Sequence, residues 1–449
     1  VPALIGMQIV YRRNKDADAV DAIETKLGQQ SDPARGGGAS GSGGTSAWSG
    51  WLHGACLLWH SGDVARAREV LNRIIDSDAD FRDEFTSAQL IRGWVDLSTG
   101  RGAFIEKSGA MFDRVIQAES QDGLDIDATM GKVAMLERKN QFYPAQELLN
   151  KLMVTYPNFA PAALCKAKQL VRTEDWEGAV ESLQKVLTRD PMSVEGLALS
   201  AVVNLVRDGQ PQVASRVLTE LIKSIQAREP RNGQLYISCA QCVSRLAGGN
   251  LQLLTLTNTM AEIATQLAPN NSEYASEVAY QAILRGDFRT ASAIYKKAST
   301  ASDGNVTPLL GLIRCTLQAG KYDEAAQQVE FLTELQSPQG RNAQLSMLTA
   351  MLKWRKDKNA QACIEKLDQA AEAHRQDVLA APTGGVEFYA RLNPDFMMQM
   401  IKEYLVHART EPPATDATGA AAKPDPILER ARRVVDLLLR HVACSSEAQ

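Results

Sequence analysis

Residues able to do chemistry are few in this chain, and their spacing is informative. Cys239 and Cys242 form its one close cysteine pair. A redox pair of that spacing needs a βαβ frame, and a zinc site needs a second pair of Cys or His ligands. Neither accompanies it. Two positions three apart on a helix share a face, so the pair reads as small buried hydrophobes. His53 and His60 lie seven apart without the glutamate of a zincin helix, and no phosphate-binding Gly loop or nucleophile elbow occurs. The Gly/Ser-rich stretch 32–50 lacks the Lys-Ser/Thr ending that a phosphate loop requires and reads as a flexible loop. Trp51, Trp59, Trp94, Trp176 and Trp354 fall at helical spacings and read as packing residues rather than base-stacking platforms. No catalytic residue, metal ligand or cofactor is assigned, and the chain is not expected to be an enzyme.

Composition points to helix. Apolar residues reach 45% while aromatics are only 6%, so Ala and Leu supply most of the burial, and both lose little freedom in a helix. A net charge of −4 over 449 residues gives no electrostatic footprint for nucleic acid, which demands a clustered basic face. Seven scattered cysteines in an odd, unpatterned set fit a reducing compartment. No apolar run approaches the roughly 18 residues of a transmembrane helix.

An internal repeat supplies the architecture. A turn residue is followed two later by an aromatic or apolar residue, three further by Ala, and four beyond that by another apolar residue. The pattern appears as Gly62, Val64, Ala67, Leu71; as Asn140, Phe142, Ala145, Leu149; and as Glu174, Trp176, Ala179, Leu183. It returns as Gly209, Pro211, Ala214, Leu218; as Gly286, Phe288, Ala291, Tyr295; and as Gly320, Tyr322, Ala325, Val329. Ala145 to Ala179 and Ala291 to Ala325 are each 34 residues, and Pro157 and Pro191 repeat the same interval. That period is the tetratricopeptide repeat, a helix–turn–helix unit. The turn residue reverses the chain, the Ala lets helices A and B approach, and the Pro ends helix B because it lacks an N–H.

The expected fold is therefore all-α: a right-handed superhelical solenoid of antiparallel helix pairs. Half a hairpin occupies 1–31 and the Gly/Ser-rich loop 32–50. About nine hairpins fill 51–375, two of them degenerate and lengthened, the second closed by Pro269. A connector with a helix spans 376–408, a flexible linker 409–425, and an amphipathic helix at 426–449 starts a next repeat. The half-repeats at both ends imply an array that continues beyond this chain. Solenoids offer concave surfaces to partners, here expected on the A helices. The expected groove residues are Leu164, Lys168 and Arg172, then Leu199, Val203 and Arg207, then Tyr280, Arg314 and Leu317. A mixed apolar and basic groove suits a helical or extended segment with acidic edges. The Lys and Asn pairs with which some tetratricopeptide domains clamp a C-terminal carboxylate are absent.

Particular stretches go beyond the generic repeat. The run Ala55–Ile75 (ACLLWHSGDVARAREVLNRII), the runs Tyr156–Leu187 and Leu267–Ala298, and the run Glu330–Gln336 each resemble one family. So does LNPDFMMQMIKEYL at Leu392–Leu405, with Asn393, Pro394, Asp395 and Phe396 outside the repeat consensus. The family is the large tetratricopeptide-repeat subunit of intraflagellar transport complex A, tetratricopeptide repeat protein 21, and the resemblance is to its N-terminal portion. It implies a non-catalytic scaffold of retrograde transport in cilia and flagella that also supports ciliary membrane-protein trafficking. The implied partners are other complex A subunits, which combine β-propellers with helical repeats, and beyond them neighbouring trains and cargo adaptors. The implied location is the cilium and basal body, on the cytoplasmic side. The competing expectation is a generic adaptor in a ubiquitin ligase or chaperone complex. The repeat register itself is testable: Ala179→Leu or Ala325→Leu overpacks a hairpin by about 1–3 kcal/mol. Melting curves unchanged in both variants would refute it.

Overall fold

The computed structural model describes residues 44–76, 82–118, 124–301, 305–335, 342–379, 385–408 and 425–442, with Met7 and Ala22 singly before them. The expected half-hairpin at 1–31 is otherwise outside the described residues, as are 32–43, 409–424 and Cys444. Among the described residues every regular element is an α-helix, twenty-one in all.

The helices fall into two compact units, Val1–Ala162 and Ala163–Gln449. The sequence pattern, which runs unbroken through this point, gave no sign of that division. In the first unit α1 (Gly44–His60) precedes α2 (Val64–Ile75), α3 (Arg82–Ser98) precedes α4 (Gly102–Ala118), and α5 (Ile126–Arg138) precedes α6 (Phe142–Thr155). The boundary falls in the first turn of α7 (Ala160–Arg172), which leads into α8 (Trp176–Arg189). The second unit continues with α9 (Val194–Val206) and α10 (Pro211–Arg228), then α11 (Gly233–Leu246) and α12 (Leu251–Leu267). Three more pairs follow: α13 (Ser272–Leu284) with α14 (Phe288–Ala301), α15 (Thr307–Gln318) with α16 (Tyr322–Leu335), and α17 (Ala343–Arg355) with α18 (Ala360–Leu379). Beyond the pairs come α19 (Val386–Leu392), α20 (Pro394–His407) and α21 (Pro426–His441).

Each repeat position has its structural counterpart. Val64, Phe142, Trp176, Pro211, Phe288 and Tyr322 are the first residues of their B helices. Ala67, Ala145, Ala179, Ala214, Ala291 and Ala325 are all 0% exposed, as the close approach of two helices requires. Pro157, Pro191 and Pro269 each lie just past the end of a B helix. The turns share one conformation. Gly62, Gly209, Gly286 and Gly320 have φ between 57° and 91°, and Asn140 (57°), Glu174 (63°) and Lys358 (52°) adopt the same left-handed region without being glycine. This is the αL closure that satisfies the last carbonyls of helix A and turns the chain at once.

Where the pattern lapses, the packing problem is solved differently. In α4 the alanine position is taken by Ile105, and further along the helix Phe112 is fully buried and fills the room a methyl group would need at Gly93 on α3 and at Gly131 on α5. In α18 the Ala position is taken by Cys363, also 0% exposed. One boundary differs from expectation. Helix α1 begins at Gly44, inside the stretch expected to be a loop; once a helix is nucleated, each added residue gains a hydrogen bond at small cost. Helix α21 packs against α20, and Ala431, Val434 and Leu438 are its buried residues.

A non-glycine residue in the left-handed region costs about 1–2 kcal/mol, part of which glycine returns through its looser unfolded chain. Glu174→Gly is therefore expected to stabilise the chain by about 0.5–1 kcal/mol, a rise of roughly 1–2 °C in Tm. Gly320→Ala is expected to lower it by at least as much. Circular dichroism melts of both variants check the pair, and shifts of the same sign would contradict it.

Candidate functional site: an A-helix groove filled from within

The candidate partner surface lies in the second unit, on the A helices α7, α9, α11, α13 and α15. Sequence reasoning expected it open. The structure fills it with the chain's own residues 385–408. Helix α19 packs on α9 and α11, and α20 packs on α11 and α18. Leu199 and Val203 are 1–2% exposed and Leu164 is buried as well, whereas Leu317 is buried in the apolar core shared by α15, α16 and α17 rather than under the segment. Lys168 is ion-paired to Glu195 at 3.0 Å, and its aliphatic stem reaches the Gly385 end of the segment. Arg207 sits 3.4 Å from Asp208. Arg172 is half-buried, with its charge felt at His441 on α21.

The segment is seated by a polar chain and an apolar face. Glu277 on α13, 2% exposed, accepts from Arg245 Nη1 at 2.5 Å, from Ser244 Oγ at 3.2 Å and from Gln281 Nε2 at 2.9 Å. Burial works against the Arg245 charge, but Glu277 outweighs it and holds the guanidinium above its ordinary value. That guanidinium lies 4.2 Å from the centre of the Tyr280 ring. Burial first, and Asp395 after it, push the Tyr280 phenol above its usual range, so it keeps its proton. It donates that proton to Asp395 Oδ2 at 2.7 Å across 115 residues of sequence. Gln399 Nε2 donates to the same oxygen at 2.6 Å, and Arg314 stands 3.9 Å away. Thus Tyr280 and Arg314, expected to meet a partner's acidic edge, meet an acidic residue of this chain.

Each residue of the Asn-Pro-Asp-Phe motif has a physical task. Asn393, at φ 43°, ends α19 in the left-handed region and caps α20, its Oδ1 accepting from the Phe396 N–H at 3.3 Å. Pro394 takes the first helical position, where its missing N–H costs nothing. Asp395 reaches Tyr280, and Phe396 is buried beside the His374 ring at 5.1 Å. Tyr389, Leu392, Met397, Met400, Ile401 and Tyr404 complete the buried face. Each such side chain is worth about 1.5–3 kcal/mol in gross burial. Further ties are Arg355 to Glu403 at 3.1 Å and Tyr404 O–H to Asp368 at 2.8 Å. Sequence reasoning singles out Asn393, Pro394, Asp395 and Phe396 as a motif but not the helices they meet, and it misses Arg245, Glu277 and Tyr389. The signal of the motif is its proline and acidic residue, which have no place in the repeat.

Other candidates resolve as structure. Cys239 and Cys242 are both buried among apolar side chains, and burial pushes the Cys239 thiol up to about 12, far from a reactive thiolate. His53 Nδ1 contacts the Ser49 carbonyl at 3.0 Å, one turn back. Among the described residues no group of three His, Cys, Asp or Glu side chains is placed to hold a metal, and no helix is long and apolar enough to cross a membrane. A cavity of about 270 Å³ remains beside the segment, bordered by Glu273, Leu310, Gln344, Met347, Phe396 and Gln399.

Three histidines tie this region to pH. His374 contacts the Leu392 carbonyl at 2.9 Å, His407 packs on Trp354 at 4.6 Å, and His441 packs on Phe388 at 5.1 Å. Burial lowers all three below the usual imidazole value, the smaller raising effects of the Leu392 carbonyl and Asp377 at His374 notwithstanding. A lowered folded pKa means that the unfolded chain binds protons first. Stability from these groups is whole above about pH 6.5 and falls as pH drops below it. Denaturant midpoints are expected to decline between about pH 6.5 and 5, and the decline to be shallower in His374→Gln. Equal slopes in the two proteins would remove His374 from this account.

The sequence comparisons agree with the helices. Residues 1–180 match the tetratricopeptide repeat protein 21 N-terminal ARM repeat, and residues 216–443 match the tetratricopeptide repeat protein 21 second ARM domain. Tetratricopeptide repeat protein 21B of Homo sapiens is 32% identical over 87% of this chain and 29% of its own length. The Mus musculus protein of that name is 30% identical over 98% of this chain and 32% of its own. The tetratricopeptide repeat protein 21 homolog of Caenorhabditis elegans is 18% identical over 77% of this chain and 25% of its own. Among solved structures, a tetratricopeptide repeat protein from Parabacteroides merdae aligns at a TM-score of 0.37 and 11% identity, over 69% of this chain and 99% of its own. The chain spans about a third or less of the length of these curated relatives. Consecutive helix pairs make it a repeat scaffold, and the two matched domains, in order along the chain, make it a member of the tetratricopeptide repeat protein 21 family.

Proposed function

We propose that this scaffold works without catalysis as part of intraflagellar transport complex A, supporting retrograde transport and membrane-protein traffic in the cilium. The observation that carries the reading is family membership over both halves of the chain. Its partners are then other complex A subunits, built from β-propellers and helical repeats, with neighbouring trains and cargo adaptors as further contacts. Its place is the cilium and basal body, on the cytoplasmic side.

A helical array suits such work. Stacked pairs supply a long surface from few residue types, and each added pair adds surface without a new core topology. With the A-helix groove of the second unit occupied by residues 385–408, contacts to other subunits fall on the B helices, the turns and the borders of that segment.

The test is tagging at the native locus, followed by imaging and affinity purification. The expected result is enrichment along the axoneme and at the basal body, with β-propeller subunits of complex A recovered together. Diffuse cytosolic signal, with recovery of ubiquitin-ligase or chaperone subunits instead, would replace this reading with that of a generic adaptor.

A further inference from the structure

The segment 385–408 contacts helices that are far apart in sequence. Helix α19 lies on α9 and α11, Asp395 reaches Tyr280 of α13 and Arg314 of α15, and Glu403 pairs with Arg355 at the end of α17. The Leu392 carbonyl meets His374 of α18. One short piece of chain therefore touches five successive A helices, α9, α11, α13, α15 and α17, along with the last B helix. An ordinary solenoid has no such element: each repeat touches only its neighbours, and opening spreads pair by pair.

We infer that residues 385–408 are a permanently seated internal staple, which makes the helix pairs from α9 to α18 open as one cooperative body and keeps the A-helix groove closed to peptide ligands. Two observations separate a staple from a displaceable lid. Lids are held by few apolar contacts and are drawn from the least stable parts of a fold. Here Leu392 and Met397 are 0% exposed, and Met400 and Tyr404 are 1% exposed, burial equal to that of the core between the pairs. Further, Val386 packs against the same apolar cluster that joins α9 to α13, so the segment is continuous with the core rather than laid over it. The polar chain through Glu277, Arg245, Tyr280 and Asp395 adds a contact that a sliding or rotated segment could not remake. The inference stands apart from the ciliary assignment, since it concerns only this chain's folding and surface.

Native-state hydrogen exchange on the intact chain tests it. In the parent protein the slowest amides of α9, α11, α13, α15 and α18 are expected to share one opening equilibrium, their protection factors agreeing within about tenfold. Met397→Ala with Met400→Ala is expected to lower protection in all five helices together, by about a hundredfold or more. Asp395→Asn leaves the apolar face intact and removes only the charge opposite Arg314. It is expected to lower the same five helices together by a smaller factor, and it serves where the double variant unfolds. Loss confined to α18, α20 and α21 in Asp395→Asn, with α9 to α15 unchanged, would overturn the staple. A fluorescent peptide carrying the sequence of residues 385–408 supplies a second readout. No saturable binding to the parent protein is expected up to about 100 μM. Binding below that concentration would show that the segment leaves its seat, and would likewise overturn the inference.

Discussion

Two helices of a hairpin approach closely only where one of them carries almost no side chain. In this chain that place is an alanine five residues after a left-handed turn residue, and the two features act together. The left-handed turn reverses the chain within a few residues, which brings the first turn of helix B against the last turn of helix A. The alanine then lets the helix axes close, and the apolar residue four later reaches the same seam. Ala67, Ala145, Ala179, Ala214, Ala291 and Ala325 are all without exposed surface, although alanine itself contributes little apolar area. What they contribute is the room they do not fill, which leucine and valine of the neighbouring helix occupy. A pair so built still has an uncovered apolar face, so it gains by stacking on another pair, and the array follows.

The same constraint explains how the irregular hairpins survive. Around α4 the small residues are Gly93 and Gly131 on the flanking helices, and the bulk is a phenylalanine between them. A large ring on one helix is matched by glycine on its neighbours, which is what close packing demands. Tyr295 and Gly311 make a second such match between α14 and α15. A glycine within a helix costs about 1 kcal/mol of propensity relative to alanine, so these positions persist because a ring has nowhere else to go.

The local half of this architecture is legible in the residues. Turn, B-helix start, alanine and closing proline all lie within one repeat, and helix and turn chemistry act over that range. The A-helix groove was harder, for a physical reason. Leu199 and Val203 show the apolar spacing of a face that something covers, but spacing cannot say whether the cover is a partner or the same chain, nor that Leu317 instead packs between hairpins. The repeat register puts Tyr280 and Arg314 on A helices, and Asp395 lies outside the repeat consensus. Joining them required a contact over 115 residues, for which a single sequence carries no signal. The same holds for α21. Its amphipathic stripe was evident, but its packing against α20 is a tertiary fact that periodicity cannot contain.

The buried ions beneath the segment bear on its uniqueness more than on its strength. Taking Arg245 and Glu277 out of water is costly, and an apolar pair of the same volume would hold the helices at least as well. The pair is fully satisfied, however, with Ser244 and Gln281 on the carboxylate and the Tyr280 ring under the guanidinium. Its effect is to fix where the Tyr280 hydroxyl points, and hence where an acceptor on α20 has to be. An apolar helix face repeats almost every turn, so Met397, Met400, Ile401 and Tyr404 alone could dock in registers one turn apart. Asp395 can meet Tyr280 in one register only, and moving it by a turn would leave a half-buried phenol and carboxylate without each other. The polar chain thus selects the seat, and the apolar face holds it.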